Sequence, residues 1–81
     1  MEKDVTLSIH LSEDDTITEA TATLSLRGEE FQAVGVARRN PIDPVKPVIG
    51  EELAIARALR LLEDRITAAA VEKIEQYLVH D

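Results

Sequence analysis

Two histidines and no cysteine leave this 81-residue chain little material for nucleophilic, redox or metal chemistry. An active site needs a nucleophile beside a base, a metal set or a cofactor motif. The chain has no Gly-x-Gly-x-x-Gly turn, no phosphate-binding loop and no His-Glu-x-x-His pair. His10 falls within a strand pattern and His80 is next to the last residue. The expectation is a protein that is not an enzyme and that uses neither cofactor nor metal.

Charge is the remaining chemistry. Arg38-Arg39 is the one adjacent basic pair, and Arg57 and Arg60 sit one helical turn apart. These four arginines are the candidate partner-binding residues, although the ordinary reading of each is solvated surface charge. A four-residue first turn would set His10 beside Glu19, and Glu19 beside Arg38, as a row across three strands. Such a row could hold a small ligand, but it is more commonly a cross-strand ion-pair row on a wetted face.

The net charge of −7 argues against general binding to phosphate backbones, which requires a basic surface. Its distribution is uneven. Residues 1–19 carry six acids and one base, residues 20–65 seven of each, and residues 66–81 three acids and one base. Attraction to an anionic partner can arise only in the middle of the chain.

The elements that would position these groups follow from periodicity. Val5, Leu7, Ile9 and Leu11 alternate with polar residues, as do Ala20, Ala22, Leu24 and Leu26, so both stretches are half-buried strands. Between them, Ser12 to Thr16 is a polar turn cluster. Gly28-Glu29 suits a two-residue type II′ turn, which would place Leu26 opposite Phe31 and Leu24 opposite Ala33. The third strand then directs Phe31, Ala33, Gly35 and Ala37 to the core and Gln32, Val34, Val36 and Arg38 outward. Val34 and Val36 form an apolar strip on an edge strand and are the candidate dimer contact. Three prolines make residues 39–49 an extended connector. A helix is expected to open at Gly50 as N-cap, with Glu51 and Glu52 at its positive end, and to run to about residue 66. Val71, Ile74 and Leu78 continue the apolar period, either in the same helix or in a second one capped by Thr67.

The order gives an α+β fold, a single domain over residues 1–81. It is a three-stranded antiparallel meander, with strands near 4–12, 17–27 and 30–38, followed by one long or two shorter C-terminal helices on the face of Leu7, Leu24 and Phe31. A chain this short buries only about 60% of its unfolded surface, so a homodimer is expected. No segment reads as a membrane span or signal peptide, and the expected location is the cytoplasm.

Two stretches, Val34-Gly35-Val36-Ala37-Arg38-Arg39-Asn40-Pro41 and Ile49-Gly50-Glu51-Glu52-Leu53-Ala54-Ile55-Ala56-Arg57-Ala58-Leu59, resemble a family of small actinobacterial domains of unknown function with a double-stranded-RNA-binding-domain-like (dsRBD-like) fold. Some members are induced in hypoxia or dormancy, and their dimers have been likened to ribosome hibernation-promoting factors. The resemblance spans roughly residues 4–66. It implies a homodimeric stress-response protein with the ribosome as candidate partner, and no catalysis. The alternative that the acidic composition allows is a protein-interaction module with no nucleic-acid contact, and the alternative dimer contact is the stripe of Val71, Ile74 and Leu78. The chain departs from true dsRBDs in two ways: it lacks the helix before the first strand, and it carries Glu51 and Glu52 where those domains place phosphate-gripping lysines.

Overall fold

The computed structural model describes residues 1–79; His80 lies outside the described residues. Three strands, β1 (Leu7–Glu13), β2 (Ile17–Leu26) and β3 (Glu29–Arg38), form an antiparallel sheet in the order 1-2-3, and one helix, α1 (Pro47–Val79), follows. Leu24 is paired with Leu7 on one side and with Phe31 on the other. The remaining inner rows are Ile9–Ala22–Ala33, Leu11–Ala20–Gly35 and Glu13–Thr18–Ala37.

Both hairpins turn at residues other than those the sequence predicts. Leu26 pairs with Glu29, not with Phe31, because the turn is Arg27-Gly28 and not Gly28-Glu29. Both residues have positive φ, 53° and 79°, which is the type I′ geometry that matches strand twist. Arginine tolerates this conformation at a cost of about 1–2 kcal/mol, and glycine takes it freely. In the first hairpin Ser12, not His10, faces Glu19, and His10 faces Thr21. The Asp14 carboxylate closes that turn by accepting from the Thr16 and Ile17 amides, both at 2.8 Å. Each correction slides the register by two residues, so every side chain keeps its expected face.

The core is built from small residues. Ala20, Ala22, Ala33 and Ala37 of the sheet meet Ala54, Ala58 and Leu62 of the helix. At Gly35 the two backbones come closest. A Cβ there would run into the carbonyl oxygen of Ala54 and the amide of Ala58. Toward the hairpin tip Leu24, Phe31 and Ile66, partly buried, pack against this cluster.

The helix begins at Pro47, three residues before the expected start. Proline is well placed at the first helical position, where its missing N–H is no loss. Gly50 is therefore inside the helix and does not cap it. Glu51 and Glu52 stand past the first turn, which holds no acidic residue. No break occurs at Thr67, and the 33-residue helix is continuous. At 1.5 Å per residue it is about 50 Å long, so its last turns outrun the sheet. Lys73 ties it to the hairpin end through a 2.8 Å ion pair with Glu29.

Candidate functional site

The helix lies over β2 and β3 and leaves the Leu7, Ile9 and Leu11 row of β1 partly exposed. Leu7, Ile9 and Leu11 are 39%, 36% and 36% exposed, although they share a face with fully buried Ala20 and Ala22. The cause is steric. Alanines and Gly35 draw the helix close to β2 and β3, and a helix seated that low cannot also ride over a row of leucine and isoleucine. The result is an apolar shelf beside a free sheet edge. Sequence reasoning had a signal for it: the inner row of β1 is large and aliphatic, whereas that of β3 is mostly alanine and glycine.

The expected contact strip has a different setting. Val34 is 43% exposed and Val36 is half-buried, both on the open face. Yet the β3 edge beside them is already occupied. Arg57 Nη1 donates to the Val36 carbonyl at 2.7 Å, and Arg65 Nη1 donates to the Gln32 carbonyl. Two helix arginines thus cap carbonyls that point away from β2, which blunts that edge. Arg65 was absent from the sequence reading.

The four candidate arginines do not converge. Arg39 turns inward to the loops, donating Nε to the Asp15 carbonyl at 2.8 Å and Nη1 to the Asp43 carbonyl at 2.7 Å. Arg57 is engaged at the β3 edge. Arg38 pairs across the sheet with Ile17 and not with Glu19, so the row of His10, Glu19 and Arg38 does not form. Arg38 and Arg60 are exposed. Replacing Arg39 with alanine should free the connector, speeding amide exchange over residues 40–46 while the β2–β3 amides stay protected. Unchanged exchange in the connector would show that Arg39 does not brace it.

Two carboxyl groups at the open end of the sheet have shifted titrations. The Asp14 carboxyl is held below the usual carboxylate range by the Thr16 and Ile17 amides and the Thr16 hydroxyl. It therefore adds stability above its unfolded pKa, and that stability is lost as pH falls through its lower folded value. The Glu13 carboxyl is pushed up, first by a hydrogen bond with the Glu51 carboxyl, then by desolvation and repulsion from Glu51, against a hydrogen bond with Thr18. Its charged form is disfavoured in the fold, so the loss is present above its folded pKa and relieved as pH falls through that value. Glu13→Gln should raise the melting temperature at pH 7, with the gain shrinking toward pH 4. A variant that melts lower at pH 7 would contradict this pairing.

Among the described residues no group of histidine and acidic side chains is placed to hold a metal ion, and no helix is long and apolar enough to cross a membrane.

A three-stranded meander backed by a single long helix, with the inner row of one edge strand partly exposed, defines a small α+β sheet-and-helix protein. The chain belongs to the Rv2632c-like family, whose model matches residues 3–81. It is similar to the uncharacterized protein Mb1767 of Mycobacterium bovis, with 41% identity over 70 residues, 86% of this chain and 74% of that one. It is likewise similar to the uncharacterized protein Rv2632c of Mycobacterium tuberculosis, with 41% identity over 69 residues, 85% of this chain and 74% of that one. The crystal structure of Rv2632c superposes with a TM-score of 0.88 at 39% identity, covering all of this chain and 95% of that one.

Proposed function

We propose that the chain is a non-catalytic protein-interaction module that forms a homodimer by pairing β1 with β1 of a second copy. The observation that carries this is the coincidence, on one strand, of a partly exposed apolar row and an unpaired edge. Two-fold pairing there would continue the sheet and set the two apolar rows side by side, and a surface meeting itself must be self-compatible. Leu7 to Ser12 carries no Asp, Glu, Lys or Arg in a chain of net charge −7, so this is where two acidic copies can approach. The β3 strip is the weaker interface, because Arg57 and Arg65 occupy its edge carbonyls. The projecting stripe of Val71, Ile74 and Leu78 is a third surface.

Sedimentation equilibrium should return twice the 9.0 kDa chain mass. Hydrogen exchange identifies the edge. The Asp14–Ile17 backbone bond sets the alternation so that the Ile9 and Leu11 amides face away from β2. These should exchange slowly in the dimer, and fast exchange at both would place the contact elsewhere. A ribosome-bound stress factor, the role the family resemblance implies, is the second reading. Arg38 and Arg60, exposed and with no hydrogen-bond partner among the described residues, support it. Co-sedimentation with ribosomes that weakens steeply with salt would favour that reading.

A further inference from the structure

The helix runs alongside β3. Arg57 reaches Val36, Arg65 reaches Gln32 and Lys73 reaches Glu29, so equal steps along α1 match steps of three or four residues along the strand. Eight helical residues rise about 12 Å and four strand residues about 13 Å, which sets the two axes nearly parallel. The same contacts fix which flank of the helix is turned toward β1. A residue two positions from one of these bases points about 160° away from it. Ile55 and Leu59 stand in that relation to Arg57, and Glu63 to Arg65. The shelf on β1 therefore has a wall as well as a floor: half-buried Ile55 and exposed Leu59 rise beside the row of Leu7, Ile9 and Leu11. Beyond them the flank is acidic. Glu63 and Glu52, a heptad before Leu59, are both exposed there.

We propose that two copies joined along β1 form a trough that holds one amphipathic helix of a partner protein, with lysine or arginine flanking its apolar stripe. This rests on the β1–β1 dimer proposed above. A two-fold axis perpendicular to the continued sheet keeps both inner rows on one face. Each α1, lying over β2 and β3, then stands two strand spacings from that axis, so the two helices are about 19 Å apart. Packed helices are separated by about 8–10 Å, and the gap admits one further helix in contact with both. Two strands of ordinary twist turn each neighbour by about 45°, close to the commonest angle at which helices cross. The floor under that helix is the paired rows of Leu7, Ile9 and Leu11, which β1 pairing alone leaves open on the helix side. Charge selects the sequence of the guest. Glu52 and Glu63 of both copies rim the trough, so it repels an acidic helix and attracts a basic one.

A peptide of two Leu-Lys-Lys-Leu-Leu-Lys-Leu repeats, about 21 Å long as a helix, is the probe. Titrated calorimetrically into the full-length protein, it should saturate at one peptide per two chains and shift the amides of Ile9, Leu11 and Leu59. The same peptide with glutamate for lysine should not bind. Leu59→Lys should weaken the lysine peptide about tenfold, the equivalent of one buried aliphatic side chain, while sedimentation equilibrium still returns a dimer. Glu63→Lys should weaken it about fivefold. Asp64→Lys makes the same charge change on the β3 flank, seven residues after Arg57, and should leave the affinity unaltered. Saturation at one peptide per chain, equal binding of the glutamate peptide, or equal effects of Glu63→Lys and Asp64→Lys would each overturn the proposal. Sedimentation keeps the two readings apart: a dimer that binds no peptide overturns the trough alone, whereas a monomer overturns the dimer and the trough together.

Discussion

Gly35→Ala should be the most damaging single-methyl change in this protein, costing about 3 kcal/mol and lowering the melting temperature by roughly 15 °C. Propensity alone gives the opposite sign, because alanine in a strand interior is normally better than glycine. The difference lies in the packing. The added Cβ would meet the Ala54 carbonyl oxygen and the Ala58 amide, which are main-chain atoms that no rotamer change can move. The helix must lift, and lifting it loosens contacts at Ala20, Ala22, Ala33 and Ala58 together. Gly28→Ala is the control. Its φ is 79° but nothing lies within 4 Å, so it should cost only the backbone penalty of about 1 kcal/mol. Thermal unfolding followed by circular dichroism ranks the two. Rescue of Gly35→Ala by Ala58→Gly would sink the account, since the clash is with backbone and not with the Ala58 methyl.

The second large effect concerns assembly. Replacing Leu7 and Ile9 together with lysine should convert the dimer to monomers, weakening association about a hundredfold. Fully burying an aliphatic side chain is worth about 1.5–3 kcal/mol, roughly a third of that surface remains to be buried at each position, and two-fold symmetry counts each substitution twice. The fold should survive, because neither side chain is buried in the single chain. The paired substitution Val34→Lys and Val36→Lys should leave the dimer intact. Monomers from the valine pair and a dimer from the β1 pair would move the interface to β3. Sedimentation equilibrium on both variants, with circular dichroism to confirm folding, decides between the edges.

Element order, strand faces and the amphipathic helix are legible in the residues alone. Period-two alternation in β1 and β2, and the i, i+4, i+7 spacing of Ile55, Leu59 and Leu62, are local properties that burial of one face enforces. Those faces hold although both turns sit elsewhere than expected, since a two-residue slide preserves parity. The turn itself was not legible: Arg27-Gly28 and Gly28-Glu29 are both acceptable local solutions, and pairing Leu24 with Leu7 and Phe31 selects the first. The helix start was hidden for a similar reason, because Pro47 reads equally as the end of a connector or as a first helical residue. Where the arginines go depends on long-range packing. Arg39, Arg57 and Arg65 reach carbonyls of Asp15, Val36 and Gln32, partners more than twenty positions away in the chain, which no spacing rule connects. The same packing makes the helix cover two strands of the three. How close a helix can sit depends on the sizes of all the residues beneath it at once. Here Gly35 and the alanines set that distance and leave Leu7, Ile9 and Leu11 for something else to cover.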